Sequence, residues 1–128
     1  MSKSSERKIS KKISKCLISI AKEGIIKLQP SNIPTRFIIL CNAGLVTGFS
    51  KEEAVKMFSS FGKLTDVVMI LGKSYSFVIF ESLQELNINS LMKLNGSHCL
   101  ENGTQPLYFS FVEQVDGSIY LLYISSIW

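Results

Sequence analysis

Two aromatic residues two positions apart, Tyr75 and Phe77, lie in the run Lys73-Ser74-Tyr75-Ser76-Phe77-Val78-Ile79-Phe80. A strand turns successive side chains to opposite faces, so Lys73, Tyr75, Phe77 and Ile79 share one side while Ser76, Val78 and Phe80 share the other. Neighbouring rings on an open face can stack against unpaired bases, each stack contributing roughly 1 to 3 kcal/mol. Lys73, at the start of the strand, can add a phosphate contact.

The second source of chemistry is charge, and it is concentrated at one end. Residues 1–27 hold eight lysines and arginines against Glu6 and Glu23, a net of +6, whereas the remaining residues hold six basic and eight acidic groups, a net of −2. The surplus behind the overall +4 therefore sits in the leader. Attraction to a polyanion should rest on Lys8, Lys11, Lys12 and Lys15 rather than on the body of the chain.

Other chemistries are poorly supplied. Cys16, Cys41 and Cys99 are odd in number, widely spaced and form no CxxC pair, which reads as three reduced thiols. His98 is the one histidine, so an iron site needing two histidines and a carboxylate is excluded by count. The two arginines, Arg7 and Arg36, lie outside any glycine-rich loop, which disfavours a phosphate-handling enzyme such as an acyl phosphatase. No catalytic residue, metal or cofactor is expected. The lysine-rich start lacks the apolar run of a signal peptide, and the apolar stretch Ile119 to Trp128 is too short to cross a bilayer. A cytoplasmic or nuclear setting, with no membrane association, is the expectation.

The elements that must position these residues follow from spacing. In the leader, Ile9, Ile13, Leu17 and Ile20 recur at steps of four, four and three, with Cys16 and Ala21 beside them. That pattern predicts an amphipathic helix ending at Gly24, apolar on one side and lysine-bearing on the other, whose stripe must be buried against the domain that follows. Pro30 and Pro34 mark an extended linker. Arg36 to Asn42 is an apolar, β-branched run and reads as a buried strand. Ser50 with Glu53 forms a capping-box signature, and Ala54, Val55, Phe58 and Phe61 supply the apolar face of a helix stopped by Gly62.

Thr65 to Leu71 reads as a second strand, Gly72-Lys73 as a turn and Ser74 to Phe80 as a third strand. Ser82 to Leu94 returns to helical spacing through Leu83, Leu86, Leu91 and Leu94 and stops at Asn95-Gly96. Leu107 to Val112 supplies a last strand. The order is βαββαβ, an α+β, ferredoxin-like sandwich: a four-stranded antiparallel sheet with two helices on one face, preceded by the extra amphipathic helix. Because the helices cover one side only, Tyr75 and Phe77 are expected on the open side.

The third-strand octamer resembles the ribonucleoprotein motif of RNA-recognition domains, with Ser74 where glycine is usual. Ile38-Ile39-Leu40-Cys41-Asn42-Ala43 resembles the companion hexamer, matching at Asn42 but carrying Ile39 where an aromatic residue is usual and Ala43 where leucine is usual. The FG turn in FSSFGKLTDVVMI and the LNG turn in LMKLNGSHCL fit the same family. More narrowly, the lysine-rich helix, the NAGL loop, KSYSFVIF, LNG and FSFVEQV are similar to the N-terminal RNA-recognition domain of the eighth AlkB homologue family, over about residues 4 to 115. Members of that family modify the wobble uridine of certain tRNAs and join this domain to a dioxygenase and a methyltransferase.

The resemblance implies an RNA-binding module with tRNA as partner, no DNA binding, and RNA contacts at Lys73, Tyr75, Phe77, Ile39 and Asn42 together with Lys8, Lys11, Lys12 and Lys15. With Ile39 in place of a ring, one stacking platform is lost, and shape and phosphate contacts take a larger share. The alternative is a protein-interaction domain that docks a partner through the sheet, the leader or the tail. The organisation expected is a basic helix at 1–27, a linker at 28–35, the RNA-recognition domain at 36–115 and an apolar tail at 116–128. That tail, ending SIYLLYISSIW, departs from the family and either packs on the domain, where it can cover Tyr75 and Phe77, or binds a partner.

Overall fold

The computed structural model describes residues 31–96 and 106–113 and, in the leader, Lys11 and Lys15. Four strands alternate with two helices: β1 (Phe37–Cys41), α1 (Lys51–Phe58), β2 (Leu64–Met69), β3 (Tyr75–Phe80), α2 (Ile88–Leu94) and β4 (Tyr108–Val112). The strands form one antiparallel sheet in the order β2-β3-β1-β4, which places the first and third strands in the middle. This is the expected βαββαβ arrangement. The leader helix falls outside the described residues except at Lys11 and Lys15, which are helical and exposed. The tail and the His98 loop also lie outside them.

Strand alternation sorts the sheet into two apolar sides. On the helix side, Ile38 and Leu40 of β1, Val67 and Met69 of β2, Val78 and Phe80 of β3 and Phe109 and Phe111 of β4 meet Ala54 and Phe58 of α1 and Leu91 of α2 in one buried cluster. Burying a side chain of this size contributes about 1.5 to 3 kcal/mol, so this cluster is the main source of cohesion. On the other side lie Phe37, Ile39, Val68, Ile70, Tyr75, Phe77, Ile79 and Val112, which form a second buried cluster.

Helix α1 begins as its sequence requires. The Ser50 hydroxyl accepts a hydrogen bond from the Glu53 backbone N–H (3.1 Å) and lies 3.3 Å from the Glu53 carboxylate. Lys51 faces Asp66 of β2 at 3.6 Å, an exposed pair of small energetic weight. Removing the cap by Ser50→Ala should cost about 1 kcal/mol, read as a lower urea midpoint at unchanged m-value. Val55 is 41% exposed instead of joining the core with Ala54 and Phe58; the apolar face of this two-turn helix is narrower than its sequence spacing suggests.

Helix α2 differs more. The predicted span from Ser82 is shortened to Ile88–Leu94. The cause is Asn87, whose side chain accepts from the Ser90 N–H at 3.3 Å and so starts the helix there. Residues upstream form turns, held by Leu86 N–H to Leu83 C=O (3.2 Å) and Asn87 N–H to Phe61 C=O (2.8 Å). Leu86 remains buried, but Leu83 is left 37% exposed.

Candidate nucleic-acid interface

The register brings the two motif strands together. Ile39 of β1 is paired with Phe77 of β3, and Cys41 with Tyr75. Phe77 is paired on its other side with Val68 of β2. Ile39 is paired on its other side with Ser110 of β4. Ser110, Ile39, Phe77 and Val68 thus form one row across the sheet. The rings of Tyr75 and Phe77 lie 6.1 Å apart, centroid to centroid, with planes at 84°, an edge-to-face pair.

Their exposure overturns one expectation. Tyr75 is 4% exposed, and Phe77 and Ile39 are completely buried, so the side of the sheet opposite the helices is not an open platform. The physical reason is composition. All eight described members of the cluster are apolar or aromatic, and leaving such a surface in water costs about 25 cal/mol per Å². A sequence signal was available: β1 and β3 are apolar at nearly every position instead of alternating, the pattern of strands buried on both faces.

The loops at the end of these strands are welded to one another. Ala43 N–H donates to the Ser74 carbonyl (3.0 Å), Val46 N–H donates to the Lys73 carbonyl (3.2 Å), and the buried Ser76 hydroxyl donates to the Ala43 carbonyl (2.6 Å). Gly44 lies so close to this strand that a Cβ there would meet the backbone of Lys73, Ser74 and Tyr75 at 2.5 to 2.6 Å. The Gly44 N–H is held by the Thr47 hydroxyl at 2.9 Å. Lys73 is half-buried in the turn before β3. Asn42 adopts φ 62°, a left-handed conformation that asparagine tolerates, and its side-chain amide donates to the Pro106 carbonyl at 3.2 Å. Its position therefore has a structural role in closing β1 against the approach to β4.

Of the candidate contact residues, Ile39, Tyr75 and Phe77 share the buried sheet face, and Lys73 and Asn42 flank its end. Lys11 and Lys15 are exposed on the leader helix, while Lys8 and Lys12 lie outside the described residues. Sequence reasoning missed two polar fasteners. The Thr35 hydroxyl lies 2.7 Å from the Val112 carbonyl and 2.9 Å from that of Phe37, tying the start of β1 to the end of β4. The buried Asn95 amide donates to the Phe109 carbonyl (3.0 Å), and its side-chain oxygen accepts from the Phe109 N–H (2.9 Å). The LNG pattern marked Asn95 only as part of a helix stop; a polar residue beside the core strand is the further sign that it has a partner. Among the described residues no cluster of His, Cys, Asp or Glu could hold a metal ion, and no helix is long and apolar enough to cross a membrane.

The sheet order, the helix placement and the paired motif strands define the class: an RNA-recognition-motif fold. The RNA-recognition domain of S. pombe Puf1 superposes with a TM-score of 0.51 at 22% identity, covering 61% of this chain and 99% of that one. The third such domain of Gbp2 gives 0.53 at 16% identity, covering 75% and 94%. The Rna15 domain, solved with bound GU RNA, gives 0.53 at 19% identity, covering 72% and 99%. In sequence the chain is similar to alkbh8 of Xenopus tropicalis, a tRNA (carboxymethyluridine(34)-5-O)-methyltransferase, at 34% identity over 116 residues, covering 84% of this chain and 18% of that protein. Mouse ALKBH8, of the same description, matches at 31% over 112 residues, covering 85% and 16%. The chain thus spans less than a fifth of the length of these relatives. No protein-family model matches it.

Proposed function

We propose that this chain is an RNA-binding module that contributes tRNA binding to wobble-uridine modification. The observation that carries the reading is the assembly of the octamer and hexamer positions, Tyr75, Phe77 and Ile39, on the two central strands of an RNA-recognition fold. The similarity to tRNA-modifying relatives supports tRNA as the partner. Lys8, Lys11, Lys12 and Lys15 contact phosphates, and their attraction is the larger part of the affinity because the body is net acidic. Tyr75 and Phe77 meet bases when their face of the sheet is uncovered, and Lys73 and Asn42 border that site. The chain carries no catalytic step of its own; chemistry belongs to domains of the kind its longer relatives are named for.

The test is filter binding of tRNA over a salt series. Changing Lys8, Lys11, Lys12 and Lys15 together to glutamine should weaken binding more than about tenfold near 0.1 M salt and flatten the slope of log K against log salt by about three. An unaltered affinity and slope would remove the leader from the interface. The burial of Tyr75 and Phe77 favours a second reading, a protein-interaction domain of the same fold with little RNA affinity of its own. Absence of tRNA binding by the unaltered chain at low salt would decide for it.

A further inference from the structure

The second sheet face has a cover that the described elements do not supply. Ile39 and Phe77 are fully buried, and Tyr75 and Ile79 nearly so, yet every described member of their cluster comes from the strands or, in Ile70, from the residue directly after β2, and α1 and α2 pack on the opposite side. Strands cannot shield their own outward side chains to this degree; another apolar surface has to lie on them.

We propose that the occupant is the chain's own leader, residues 9–20, docked through the stripe Ile9, Ile13, Leu17 and Ile20. Three observations select it. First, at about 100° per residue the four stripe positions fall within an arc of about 80°, while Lys11 and Lys15 fall roughly opposite. Both lysines are helical and exposed, so the side of this helix turned to water is the one opposite the stripe.

Second, the described chain comes in at the border of the covered face. Ser31 N–H donates to the Phe111 carbonyl at 2.8 Å, and Thr35 is fastened to Val112, a member of the cluster. Third, the dimensions match. A twelve-residue helix is about 18 Å long. Four strands measure about 14 Å across. The residues between Ile20 and Ser31 can extend over roughly 35 Å. The apolar tail is the rival occupant, but from Ile119 to Ile124 it carries no charged side chain or serine to turn to water, and only Ser125 and Ser126 interrupt it before Trp128.

The consequence is that leader and bases compete for one surface. With the stripe docked, Tyr75 and Phe77 are closed to nucleobases while the lysines stay available to phosphate; release of the leader opens the stacking site. The inference rests on the fold and the burial rather than on RNA binding, and its test uses no RNA, so the two readings can fail separately.

Hydroxyl-radical footprinting of the full chain, read by mass spectrometry, provides the test. In the unaltered chain Tyr75 and Phe77 are protected. In the Ile13→Asp, Leu17→Asp variant their oxidation should rise at least about fivefold while Phe58 and Phe80 of the helix-side core stay protected, the signature of local opening. Protection that survives this change overturns the proposal. So does opening caused only by Leu121→Asp, Ile124→Asp, which would assign the cover to the tail, and so does protection that fades on dilution, which would assign it to a second copy. Should the leader variant also expose Phe58 and Phe80, a diazirine-bearing leucine analogue placed at Leu17 of the otherwise unaltered chain decides the matter. Crosslinks to the peptides holding Ile39 or Phe77 uphold the docking, and crosslinks confined to the helix side or to other molecules refute it.

Discussion

Phe77→Ala should lower the stability of this domain by about 3 to 5 kcal/mol, because it deletes a fully buried ring from the centre of the second apolar face. Phe77 is in register with Ile39 on one side and Val68 on the other, and packs edge-to-face with Tyr75. No small movement of one neighbour can fill the space. For a domain of this size the loss is a large fraction of the total, so urea unfolding should show a marked drop in midpoint. The consequence reaches the functional experiment. An alanine variant that fails to bind RNA would report unfolding as readily as lost stacking. Phe77→Leu keeps most of the volume, should cost only about 1 to 1.5 kcal/mol, and removes the π-face alone. If the ring stacks on a base, Phe77→Leu should weaken tRNA binding at least about fivefold with the fold retained. Unchanged affinity in this variant would confine Phe77 to a packing role.

The same residue illustrates what the chain's sequence discloses and what it withholds. The face each residue occupies was legible, because strand alternation is a local property: Val78 and Phe80 point to the helices and Tyr75 and Phe77 away from them. The pairing of Ile39 with Phe77 is a matter of register between strands distant in sequence, which alternation alone does not give. Whether the far side meets water was legible only in part. That depends on a contact between segments distant in sequence, and the two-helix count by itself says only that the helices do not make it. The continuous apolarity of β1 pointed the other way, toward a strand buried on both sides. Helix α2 shows the reverse failure. Leucine spacing from Leu83 onward is a helical pattern, but one asparagine side chain at Asn87 binds the backbone and overrides it.

The loop joining β1 to α1 shows why the site positions are coupled to the fold. Gly44 is in backbone contact with Lys73, Ser74 and Tyr75, and the Ser76 hydroxyl closes the same junction through Ala43. The octamer's serine at 76 is therefore a fastener facing the helix-side core, while its neighbours at 75 and 77 face the candidate interface. Alternation lets one strand do both. It also means that Lys73 and Tyr75 are positioned by the NAGL loop, and disturbances of that loop will be felt at the rings.

Asn95→Ala should be nearly as damaging as loss of the ring, although it deletes only one amide group. Asn95 gives one hydrogen bond to the Phe109 carbonyl and takes one from the Phe109 N–H, and the adjacent Gly96 N–H donates to the Leu107 carbonyl at 2.9 Å. Alanine would leave a buried donor and a buried acceptor on β4, an edge strand, with no replacement partner, at about 1 to 3 kcal/mol for each group. Asn95→Asp supplies a sharper test, because it keeps the acceptor and converts the donor into a titratable one. An ionised carboxylate there would be buried against the Phe109 carbonyl, so burial and that carbonyl both raise its folded-state pKa above the unfolded value of about 3.9. The folded variant then binds more protons than the unfolded chain. Its stability relative to the unaltered protein should be greatest below about pH 4 and fall as pH rises through the folded-state pKa. Urea midpoints of the two proteins measured side by side from acid to neutral pH should therefore diverge with rising pH; parallel curves would mean that Asn95 does not hold β4 as the geometry indicates.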